Sequence, residues 1–265
     1  MDLGSGKVRQ LSPPDMYVYQ YDWSPDGKSF AAIAAHGAGD SNWYVAELYT
    51  LNAENGELKP VYKPSLQIAV PRWAPDGKTI AFIGGLMSDE GSIGGDIFTV
   101  SAGGGEARDV TPALAASPSW LYWESTSKIL FTEAVDGQAG ISSVDLASGK
   151  ISPLWISSDI ISTEAEGVPA ISLAADRKTS AVIRHSSTHP PEVWAGATGE
   201  WKQITRINDG LQPDWGQLKS LHWSNGDTKV QGWLMYPTGY DPNKRYPMVV
   251  AVSYTHLTLP TKRIV

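Results

Sequence analysis

A six-residue turn, Trp-x-Pro-Asp-Gly-Lys, recurs at a spacing of 50 residues and limits this chain to a repeat architecture: solenoid, propeller or array. The first copy runs from Trp23 to Lys28 and the second from Trp73 to Lys78. Degenerate copies occupy Trp123 to Lys128 and Leu173 to Lys178, each keeping the interval between the apolar residue and the lysine. Proline presets φ for the turn, and Asp-Gly completes the reversal, so each copy predicts a hairpin.

Apolar stretches with strand character follow each turn: Phe30 to Ile33, Ile80 to Ile83, Ile129 to Phe131 and Ala181 to Ile183. A second turn falls later in each unit, at Asn55-Gly56, Gly104-Gly105, Ser148-Gly149 and Thr198-Gly199. Each unit therefore reads as four antiparallel strands, the plan of one propeller blade. The expectation is an all-β chain, a partial β-propeller with about four complete blades at residues 17–62, 67–112, 117–156 and 165–207. One isolated sheet cannot bury both faces, so neighbouring blades must stack.

Composition removes several function classes. The chain has 265 residues and a net charge of −7 with no Lys/Arg run, which argues against nucleic-acid or anionic-membrane partners. It has no cysteine, hence no disulfide and no thiolate metal site. No apolar stretch approaches the roughly 20 residues of a membrane-spanning helix. The cytoplasm is the expected compartment, with the periplasm as the alternative.

Both ends depart from the period. Met1 to Val8 matches Val144 to Ile151, so residues 1–11 are expected to be the remnant hairpin of an upstream blade. After Leu218 the pattern changes: Lys229 to Pro237 reads as a longer strand, and Pro247 to Val252 as an apolar strand of the kind buried on both faces of an α/β sheet. The tail, 253–265, lacks the glycines and helix-start signals that should follow such a strand. It is expected to be non-native sequence and is left out of the fold reasoning.

Propeller repeats followed by Val-Gln-Gly-Trp-Leu-Met-Tyr-Pro, residues 230–237, and Tyr-Pro-Met-Val-Val, residues 246–250, resemble the prolyl oligopeptidase family of serine peptidases. The acylaminoacyl-peptidase and dipeptidyl-peptidase-like bacterial branch is the nearest in pattern. The resemblance implies a propeller over residues 1–215 and the first strands of an α/β-hydrolase domain over 216–252. It also implies that short peptides are the substrates of the intact parent, with the rest of the hydrolase domain as the propeller's partner.

The chain itself carries no nucleophile elbow. That motif, Gly-x-Ser-x-Gly, exposes a serine on a strained turn, and no such pentapeptide occurs in the 265 residues. No catalytic residue is assigned, and this portion alone is expected to be inactive. No cofactor and no metal is expected either.

Four other patterns carry candidate chemistry. Gly27-Lys28-Ser29 and Gly77-Lys78-Thr79 end like phosphate-binding loops, but Asp22 and Arg72 stand where the leading glycine is needed. His185 and His189 are spaced for a metal only on a helix, and Pro190-Pro191 opposes one. Glu164 and Glu166 are candidates for holding a peptide amino terminus, as dipeptidyl-peptidase relatives do, with solvated charges as the plain reading. Arg184 is a candidate for pairing with a substrate carboxylate, against a structural ion pair.

Three functions follow from these readings: the substrate-gating propeller of a serine peptidase, a non-enzymatic binding propeller like the periplasmic protein of the Tol system, and a glycan-active propeller. The last would need paired carboxylates in one pocket.

Overall fold

The structure is a computed structural model that describes residues 4–88, 94–163, 169–211 and 216–251. Four antiparallel sheets follow one another along the chain. The first holds β1 (Met16–Trp23), β2 (Ser29–His36), β3 (Glu47–Asn52) and β4 (Leu58–Tyr62), in that order. The second holds β5 (Ile68–Trp73), β6 (Thr79–Gly84), β7 (Asp96–Ser101) and β8 (Arg108–Asp109). The third is built from β9 (Ser117–Ser125), β10 (Lys128–Val135), β11 (Gln138–Asp145) and β12 (Ile151–Ser157). Among the described residues there is no α-helix; one 3-10 turn, Asp40–Val45, links β2 to β3.

The fourth sheet has five strands: β13 (Ile160–Ser162), β14 (Ser172–Leu173), β15 (Thr179–His185), β16 (Glu192–Ala197) and β17 (Glu200–Gln203). Both β13 and β14 pair with β15, so the innermost strand is split and the sheet starts at Ile160, ahead of the expected 165. Ile161 is wholly buried, which rewards its joining this sheet. Pro169, between the two pieces, has no N–H to give a ladder. Its carbonyl instead accepts the hydroxyls of Ser119 and Thr132 from the third sheet.

Three apolar layers separate the sheets. Ala31, Ile33 and Leu48 meet Ile80 and Phe82 between the first and second. Ala81, Ile83 and Ile97 meet Trp123, Ile129 and Phe131 between the second and third. Leu130 and Ile141 meet Ile161, Val182 and Trp201 between the third and fourth. Alternate residues of each second strand thus face opposite neighbours, as a pleated strand buried on both sides requires.

The repeated turns share one hydrogen-bond scheme. Ser24 N–H bonds to Ser29 O at 2.8 Å, Ala74 N–H to Thr79 O at 2.8 Å and Ala174 N–H to Thr179 O at 2.9 Å. Each places its fourth-position Asp so that the carboxylate accepts the lysine backbone N–H: Asp26 from Lys28, Asp76 from Lys78 and Asp176 from Lys178. Gly27 and Gly77 adopt φ of +69° and +68°, and Arg177 takes the same left-handed conformation at +58°.

After the fourth sheet come β18 (Leu218–Asn225) and β19 (Thr228–Met235), a two-stranded hairpin. Two expectations change at the ends. Residues 4–11 form no strand; Arg9 instead donates to the Glu54 carbonyl at 2.7 Å. The apolar run after Tyr246 forms no strand either, and Val249 is 93% exposed. A strand is held by its neighbours' ladders, and none flanks this segment among the described residues.

Candidate functional site

Antiparallel alternation gathers the connections β2–β3, β6–β7, β10–β11 and β15–β16 at one end of the stack, and the Pro-Asp-Gly turns at the other. The β18–β19 hairpin lies against the first of these ends. His222 Nε2 and Asp136 Oδ1 are 2.6 Å apart, joining β18 to the β10–β11 turn. Beside Asp136, Gly137 adopts φ +75°, and a Cβ there would come within 2.7 Å of Gln231 Nε2 and 2.9 Å of Trp233. Glycine thus suits both the positive φ of the turn and the close approach of the hairpin's side chains, which a Cβ would displace.

At the same end a cleft of about 490 Å³ opens along the fourth sheet, lined by Asp159, Arg184, Glu192 and Trp194 among others. Arg184 donates its Nε to Asp159 Oδ2 at 2.6 Å, and its Nη2 lies 2.5 Å from the same oxygen. Its guanidinium also stands 4.6 Å from the Trp194 ring centre and 5.9 Å from that of Trp155. A half-buried cation held by a carboxylate and two indoles is fixed in place and largely neutralised.

Glu192 is buried opposite Arg184 on the neighbouring strand β16. The Thr205 hydroxyl donates to its Oε2, and Asn208 N–H to its Oε1 at 2.5 Å. The Thr205 bond first, and Asn208 after it, holds this carboxyl below its ordinary range, because hydrogen bonds to the ionised form favour it.

The two histidines of the sequence reading border this cleft. His189 Nδ1 is 3.2 Å from Ser186 Oγ and 3.0 Å from Thr188 Oγ1. Ser186 Oγ also accepts the N–H groups of Thr188 and His189, so this Ser-His contact closes a local turn. Glu164 and Glu166 fall outside the described residues. Neither Asp159, set in the mixed stretch Ile156-Ser-Ser-Asp-Ile-Ile161, nor the Gly137 contact is signalled by the local sequence. Chemically, the cleft offers aromatic surface and fixed polar groups suited to binding.

No model of a protein family matches the chain, and no curated protein matches it in sequence. Solved structures do share its fold. A puromycin hydrolase variant complexed with PGG aligns with a TM-score of 0.62 at 17% identity, covering 85% of this chain and 34% of its own. An acylaminoacyl peptidase in complex with Z-Gly-Gly-Phe-chloromethyl ketone aligns with a TM-score of 0.58 at 15% identity, covering 89% and 34%. TolB from Acinetobacter baumannii aligns at 0.50 with 16% identity, covering 83% and 52%. The chain thus spans about a third of the length of those two peptidases. What these likenesses establish is a propeller fold of the kind found in such peptidases and in TolB.

Proposed function

We propose that this chain is the substrate-gating propeller of a serine peptidase of the prolyl oligopeptidase type, acting on short peptides. The observation that carries the reading is the β18–β19 hairpin, which is added after the fourth sheet and seated on the loop end through His222–Asp136 and Gly137. A hydrolase domain continuing from it would sit over this end. Peptides passing between the two would meet the Arg184–Trp194 cleft, while folded proteins would be excluded by size.

In the intact enzyme a serine on the hydrolase domain would attack the scissile carbonyl, a histidine would carry the proton, and backbone N–H groups would hold the oxyanion. This chain has no Gly-x-Ser-x-Gly, so the nucleophile elbow would belong to the hydrolase domain. A binding propeller is the second reading, favoured by the likeness to TolB. Such a protein has no need of a docked Gly-Trp-Leu-Met-Tyr-Pro strand.

Exposing the purified chain to a fluorophosphonate probe and to chromogenic acyl-amino-acid and peptide substrates tests the assignment of roles. We expect neither labelling nor turnover. Labelling at a serine, with turnover that survives repurification, would overturn it.

A further inference from the structure

We propose that Asn225 is a modification site: its side-chain amide is lost spontaneously through a cyclic imide formed with Gly226, leaving aspartate and isoaspartate at the tip of the β18–β19 hairpin. The inference rests on the surroundings of the chain's two Asn-Gly steps and is independent of the peptidase reading.

In this reaction the backbone nitrogen of the residue after the asparagine attacks the side-chain Cγ. A C–N bond forms, the attacking nitrogen gives its proton to solvent, and the amide nitrogen leaves as ammonia. Water then opens the ring. Opening at the side-chain carbonyl gives aspartate, and opening at the main-chain carbonyl gives isoaspartate, so water is the sole co-reactant. Glycine in the second position favours the attack, since it has no Cβ to crowd the nitrogen and its backbone can reach the required conformation. Hydrogen bonds that hold the attacking N–H or the side-chain amide oppose it, because they must open first.

The two steps are Asn55-Gly56 and Asn225-Gly226. The first is held. Gly56 N–H donates to Asn52 O at 3.0 Å, and Asn55 Oδ1 accepts the Glu57 N–H at 2.8 Å. A Cβ on Gly56 would come within 2.5 Å of Leu11 O, so this backbone is packed against the segment that precedes β1. The second is open. Gly226 begins the two-residue turn between the paired Asn225 and Thr228, at the φ of +60° that a type II′ hairpin requires of its first central residue. Asn225 and Gly226 are both exposed, and a Cβ on Gly226 would meet nothing within 4 Å. Among the described residues, neither the Asn225 amide nor the Gly226 N–H has a hydrogen-bond partner. The same dipeptide thus stands once locked and once unrestrained.

Incubating the purified full chain in mildly alkaline buffer and following both steps by peptide mapping and mass spectrometry tests the proposal. We expect Asn225 to convert to aspartate and isoaspartate about tenfold faster than Asn55, the factor that about 1.4 kcal/mol of local protection at Gly56 gives. In concentrated urea, where neither step is held, the two should convert at similar rates. Equal rates in the folded chain, an Asn225 that stays intact, or a difference that persists in urea would each overturn the proposal.

Discussion

The backbone N–H of Trp73 donates to the carboxylate of Asp22 at 2.8 Å, across the boundary between the first and second sheets. Two residues earlier in β1, Gln20 does the same for Val70 N–H at 2.5 Å. Side chains of β1 thus stand in for the missing ladder between blades, which would otherwise leave these donors of β5 unpaired. Asp22→Ala should cost about 1–3 kcal/mol, the penalty for an unsatisfied buried donor, whereas Asp22→Asn keeps an acceptor and should cost less. Urea titration of the two variants distinguishes them.

Arg177 occupies the left-handed position that Gly27 and Gly77 fill in the first two turns. A side chain there costs about 1–2 kcal/mol, part of which glycine gives back as greater freedom of the unfolded chain. Arg177→Gly should therefore raise stability by about 1 kcal/mol, a melting shift of about 2–4 °C for a chain of this size. Calorimetry measures it directly.

Glu133 is buried, 5% exposed, between the second and third sheets, and its Oε1 accepts the Ser142 hydroxyl at 2.5 Å. Burial raises its pKa, with the Ser142 bond as a smaller opposing effect. The native state therefore binds this proton more tightly than the unfolded chain. Its contribution favours folding at low pH and is lost as pH rises from 4.5 through the raised value. Glu133→Gln should leave stability at neutral pH equal or higher and flatten this limb of the pH profile.

Gly137→Asn tests the hairpin's seat. Asn tolerates a positive φ, so the turn survives, but its Cβ would still press on Gln231 and Trp233. Limited proteolysis within residues 216–251 should accelerate by about tenfold, equivalent to about 1.4 kcal/mol of lost docking. Unchanged cleavage would mean that the hairpin is held elsewhere.

The turns of the first two sheets could be read from local chemistry, because Trp-x-Pro-Asp-Gly-Lys encodes its own geometry within six residues, whereas the third, Trp123 to Lys128, could be placed only by the 50-residue spacing. The start of the fourth sheet could not, since the three-residue β13 is defined by pairing with Ile183 to His185, more than 20 residues on. Arg184 was visible as a candidate but its partner Asp159 was not, for the same reason. The seat at Asp136-Gly137 was not legible either, since the hairpin residue that meets Asp136 lies 86 residues away. Pro247 to Val252 misled in the other direction: apolarity signalled a strand, but strand formation depends on a neighbouring ladder that no local pattern supplies.

Whether this propeller belongs to a serine peptidase is decided by sequencing the genomic locus across both ends of the reading frame. The peptidase reading requires a downstream Gly-x-Ser-x-Gly in frame, followed by an aspartate and then a histidine, with further Trp-x-Pro-Asp-Gly repeats upstream. A frame that closes soon after Ala251 with no such elbow would contradict it and leave a binding propeller.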